Sequence, residues 1–106
     1  MDETEIRRLC AIAVGIASTD EVSLSEMGYN PCENREQALE LAEILDIGVI
    51  PIIVSGKRGI WCAGAYVGGD KIIAEAKAVE LPYAISLCAA FVVRSGLRVA
   101  GKVSYG

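Results

Sequence analysis

Four cysteines and no histidine define the chemistry open to this chain. Without an imidazole, the usual neutral-pH base and the commonest metal ligand are missing. Ser-His and Cys-His nucleophilic catalysis are therefore excluded within one chain. Cys10, Cys32, Cys62 and Cys88 stand 22, 30 and 26 residues apart. Structural zinc sites bring their ligands as close pairs in sequence, so no metal is expected, inter-subunit ligation through Cys32 being the alternative; no cofactor is expected either. Three of the four cysteines lie in apolar contexts, where cysteine acts as a small hydrophobe.

Cys32 is the exception. It follows Tyr29, Asn30 and Pro31, and it precedes Glu33 and Asn34, where a helix begins. A thiol at a helix N-terminus beside cations has its pKa lowered. The candidate catalytic residue is thus Cys32, expected to be exposed and activated by that helix end together with Lys57 and Arg58. The same corner, with Tyr29, Asn34, Lys57 and Arg58, is also a candidate site for a small anionic ligand, since helix N-termini attract anions. Glu33 opposes both ideas, and a turn cysteine beside a solvated basic loop is the plainer account.

Gly68-Gly69-Asp70 resembles an anion cradle only superficially. Neither G-x-G-x-x-G nor G-x-x-x-x-G-K-[ST] occurs, and Asp70 would repel an anion. A tight turn with a helix N-cap explains it more simply. Lys57 and Arg58 cannot assist, because eight strand residues separate the two loops by roughly 26 Å.

These groups need elements to position them. The stretch from Gly48 to Asp70 has two apolar runs joined by Gly56-Lys57-Arg58-Gly59, the pattern of a β-hairpin. Its first strand, Val49 to Ser55, contains Pro51 and so belongs at a sheet edge. Its second, Ile60 to Val67, shows Ile60, Cys62, Gly64 and Tyr66 on one face and Trp61, Ala63, Ala65 and Val67 on the other. Both faces are apolar, so this strand should be central and covered on both sides. Trp61 and Tyr66 are accordingly the candidate interface residues.

Helices are expected over Asp2 to Ser18, Asn34 to Asp46, Asp70 to Glu80 and Pro82 to Ser95, from apolar spacing and capping residues. The first is open to a second reading, a buried strand over CAIAVGIA. A further helical turn is expected within Thr19 to Met27, started by a Ser18–Glu21 capping box. Gly48 is the expected stop of the Asn34 helix. Leu97 to Tyr105 alternates as a half-buried strand. Chain directions then give a small antiparallel sheet of order 1-2-3, with Leu97 to Tyr105 third and one face covered by helices. The other face is left to the N-terminal helix or to a second copy of the chain.

With 106 residues there is room for one domain, residues 1–106, of the α/β class as a two-layer α+β fold. A formal charge of −4 and 6% aromatic residues exclude a nucleic-acid binder, which needs basic surface and stacking groups. The longest apolar run, Tyr83 to Val93, is too short for a membrane span. The acidic start lacks the pattern of a secretory signal, so reduced thiols and a cytoplasmic location are expected. At 53% hydrophobic residues, the apolar surface exceeds what so small a domain buries, which points to a homo-oligomer. The function read from the sequence is a soluble, self-associating, non-catalytic binding or assembly subunit. The alternatives are a thiol-dependent enzyme or redox sensor using Cys32, and an anionic-ligand protein using the Asn34 corner.

Overall fold

The computed structural model describes residues 1–67, 71–96, 98–99 and 102–103. Three helices come first: α1 (Glu3–Ala13), α2 (Glu21–Met27) and α3 (Arg35–Leu45). Each is started by a side chain that satisfies an orphan N–H of the first turn. Asp2 accepts from Glu5 N at 2.8 Å, Asp20 from Ser23 N at 3.0 Å, and Asn34 from Gln37 N at 3.0 Å. The α2 cap is therefore Asp20 and not the expected Ser18–Glu21 box. The first helix stops before Gly15, short of Ser18, and α2 ends on Gly28 at φ 68°. The expected stop of α3 at Gly48 is also corrected: Asp46 takes the left-handed conformation at φ 54° and a strand begins immediately after it.

That strand, β1 (Ile47–Val54), pairs antiparallel with β2 (Lys57–Val67), and β2 pairs antiparallel with β3 (Lys71–Ala78). The sheet order is β1-β2-β3, with Pro51 on an edge strand and the tryptophan strand in the middle, as expected. The turn differs. Ser55 and Gly56 both have positive φ, 52° and 76°, the signature of a two-residue type I′ hairpin. Lys57 and Arg58 therefore open β2 instead of forming the loop, and Gly59 is the unpaired residue of a bulge opposite Ile52 and Ile53.

The third strand is also a different segment from the one expected. Residues 71–78 form a strand, not a helix. Ala74, Ala76 and Ala78 alternate toward the helices, the same side as Ala63 and Ala65 of β2. Lysine, glutamate and alanine carry helix propensity, but here strand pairing and close packing override it. Of the segment expected as the third strand, Arg98–Val99 (β4) and Lys102–Val103 (β5) pair with each other and, among the described residues, not with β1, β2 or β3. Leu97 and Tyr105, with Gly68, Gly69 and Asp70, lie outside the described residues.

The fourth helix, α4 (Leu81–Arg94), has Pro82 in its first turn, where a missing N–H costs nothing. It is the central element. One side lies on the sheet; the other packs against α1 and α3. The alanines beneath it let it sit close, and Ile85, Cys88, Ala89 and Val92 are fully buried. Thiols tie it on both sides: Cys10 Sγ donates to the Ser86 carbonyl at 3.3 Å, and Cys88 Sγ to the Ala74 carbonyl at 3.7 Å. The N-terminal helix thus packs on α4 and α3 and does not cover the far side of the sheet. Of the two covers expected for the second face of β2, the N-terminal helix is therefore not the one, and within one chain the described helices cover one face only.

Candidate functional site

Two features of the surface invite a functional reading: a corner where helix N-termini meet, and the uncovered face of the sheet.

The corner is an open cavity of about 440 Å³, within the size range of small-molecule sites. Its walls come from the end of β3 (Ala78 and Val79), the start of α4 (Glu80 and Tyr83), the first turn of α1 (Glu3) and the loop before α3 (Cys32 and Glu33). Cys32 is therefore placed in a cavity, but not as expected. It is only 4% exposed. Its pKa is pushed up to about 11, chiefly by burial and next by the charge of Glu3, with Ser86 and Arg7 offsetting part of the rise. Exposure and a lowered pKa, the two properties required for an activated thiol, are both reversed.

The cations differ too. The positive charge acting on the Cys32 thiol is that of Arg7, which also pairs with Glu21 at 3.6 Å. Lys57 is exposed and begins β2 four residues before Trp61. Trp61 lies opposite Ala78, so the lysine backbone is roughly 13 Å beyond the cavity wall. Arg58 pairs through its backbone with Ile53, on the same extension of the hairpin. Asn34 spends its side-chain oxygen on the α3 cap. Tyr29 is buried at 9% exposure and its hydroxyl has no hydrogen-bond partner among the described residues; burial, then Cys10, Glu40 and Cys32, push its ionisation upward.

The structure therefore brings Tyr29 and Cys32 together with Cys10 and Ser86, and leaves Lys57 outside. The Ser86 hydroxyl lies between the two thiols and influences both, yet it makes no hydrogen bond of good geometry. Burial, then Cys32, raises the Cys10 thiol strongly. These thiols are held protonated at neutral pH. Glu3, Glu33 and Glu80 each stand at or beside the start of α1, α3 or α4, where a carboxylate complements the positive helix end. That placement accounts for the acidic rim without a ligand, and it repels the anion considered for this corner. The sequence reading did not bring Glu3, Arg7, Glu80 or Tyr83 here, because the strand at 71–78 is what carries Glu80 to this end of the sheet.

The uncovered face is built by strand alternation. Ile50, Cys62 and Lys77 form one row across the three strands, and Gly48, Gly64 and Glu75 form the next. Ile52 and Ile60 continue it toward the hairpin. Tyr66 folds its ring over the two glycines: a Cβ at Gly48 would stand 3.2 Å from its Cε2, and one at Gly64 3.5 Å from its hydroxyl. Ile50 is 62% and Ile72, opposite Tyr66, 49% exposed. Burial and Glu75 raise the Cys62 thiol while Lys77 lowers it, so the three groups are neighbours. Trp61 belongs to the helix-facing side and is half-buried against the core. The two candidate interface residues, Trp61 and Tyr66, thus point to opposite faces. Glu75 and Lys77 escaped the sequence reading because they stood in a segment read as a helix.

Among the described residues, no helix is long and apolar enough to cross a membrane. Compared with known proteins, the chain matches no family model, no curated protein and no solved structure.

Proposed function

We propose that this chain is a non-catalytic assembly or binding subunit that self-associates through the uncovered face of its sheet. One observation carries the reading: Ile50, Ile52, Ile60, Cys62, Tyr66 and Ile72 share a face that, among the described residues, no helix covers. A contiguous apolar patch rimmed by charge marks an interaction surface. Edge pairing through β1 is disfavoured, because Pro51 interrupts its donors. The four cysteines are free, and the burial of three of them suits a reducing compartment such as the cytoplasm.

Sedimentation equilibrium across a concentration series tests this. The apparent mass should rise above the 11.2 kDa of one chain, and Ile50→Glu should return it to the monomer. Because Ile50 is largely exposed in one chain, that variant should keep its circular dichroism spectrum and melting temperature. A wild-type chain that stays monomeric to roughly 500 μM, beyond the range of weak interfaces, would overturn the reading.

A further inference from the structure

The uncovered face carries its own complement, and we propose that its occupant is a second copy, stacked face to face about a two-fold axis running across the strands. This stacking rests on the proposed function and adds its register. Its basis is a self-complementary charge pair beside apolar groups. Glu75 and Lys77 sit two residues apart on β3, both exposed on this face, and pair with each other at 3.7 Å. Beside them Ile50 and Cys62 stand in the lysine row, and the Tyr66 ring covers Gly48 and Gly64 in the glutamate row.

An axis midway between these rows places each strand over its counterpart, running the opposite way. Lys77 then lies over the partner's Glu75, and Glu75 over the partner's Lys77. Ile50 and Cys62 then face the partner's Tyr66 ring, which lies over Gly48 and Gly64 of that copy. Two-fold interfaces require this kind of self-complementarity, in which each contact occurs twice. The alternative axis, centred on the lysine row, sets Lys77 against its own copy. Like charges placed directly opposite disfavour that register.

The face is roughly 14 Å by 26 Å, on the order of 360 Å² per copy. A standard interface buries about 800 Å² per partner. The dimer is therefore weak and exchangeable.

Charge reversal tests the register at roughly 100 μM protein, a concentration suited to a weak interface. Glu75→Lys and Lys77→Glu should each weaken dimerisation at least about tenfold, since each creates two like-charge contacts. The double variant Glu75→Lys/Lys77→Glu should restore the wild-type constant. Cys62 supplies a second readout, being half-buried where Cys10, Cys32 and Cys88 are buried. Dimerisation should shield Cys62, so a maleimide should label it more slowly in the wild type and the double variant than in either single reversal. A dimer broken by Ile50→Glu but indifferent to charge reversal would overturn this register and leave the proposed function standing. A wild type that does not dimerise at all would end both.

Discussion

Tyr66 lays its ring against Gly48 across the uncovered face of the sheet, where a Cβ on that glycine would stand 3.2 Å from Cε2. The contact joins the middle strand to its edge neighbour and roofs the backbone of two glycines that have no side chains of their own to pack. Tyr66→Ala should cost about 1–2 kcal/mol, less than a fully buried aromatic truncation because the ring is half-buried. Urea unfolding checks this. A change within about 0.5 kcal/mol, the range of a neutral surface substitution, would show that the ring contributes little to the sheet.

The thiols should divide sharply by burial. Native protein should consume one equivalent of maleimide, at Cys62, while Cys10, Cys32 and Cys88 react only on unfolding. Peptide mapping after a timed pulse measures this. Fast labelling of Cys32 in the folded chain would contradict its burial and revive the thiol chemistry that the sequence suggested.

Stability should fall in alkali. The Cys32 and Cys88 thiols, 9.0 in the unfolded reference, are pushed by burial up to about 11 and about 12 in the fold, and Cys10 is raised further. Above pH 9 the unfolded chain loses these protons while the folded chain retains them, so unfolding is favoured as pH rises. The contribution is fully present below pH 9 and is lost from there through pH 11 and 12. Melting temperatures at pH 8, 9.5 and 10.5 should decline progressively, and replacing Cys32 with alanine should reduce the slope.

The cap of α3 should be worth about 1 kcal/mol, so Asn34→Ala should destabilise by that amount. Gln37→Ala should cost at least as much. Its side chain accepts from Asn30 N at 2.7 Å and donates to the Gly28 carbonyl at 3.1 Å, tying the preceding loop to the helix. Thermal denaturation of the two variants compares the terms.

Ser55 occupies a left-handed position at φ 52° beside Gly56. Asparagine tolerates that conformation better and is the preferred partner of glycine in a type I′ turn. Ser55→Asn should stabilise the hairpin by a few tenths to about 1 kcal/mol. A destabilising result in urea titration would show that this turn is not held as described.

Local grammar was legible in the residues themselves. Asn34 with Gln37 announced the start of α3, Pro82 the start of α4, and the alternation around Trp61 a central strand with Pro51 on its edge. Each signal is carried by side chains and backbone within a few positions. The α+β class and the 1-2-3 order followed from them, although the third member of the sheet is residues 71–78 and not the carboxy-terminal segment. That stretch contains two periodicities: Ile72, Ile73, Ala76 and Val79 fit a helix, while Ala74, Ala76 and Ala78 fit a strand. Only the presence of β2 as a pairing partner and α4 as a close neighbour selects the second.

Chain chemistry alone determined the absence of imidazole catalysis, the surplus of apolar side chains and the positions where helices begin, because composition and short-range capping do not depend on the fold. Tertiary structure decided where the surplus emerges and whether Cys32 is reactive. Burial and the charges around a thiol are set by elements distant in sequence, α1 and α4 among them. The same holds for the open sheet face: alternation along one strand names its residues, but only the placement of the described helices on the other side leaves it uncovered among the described residues.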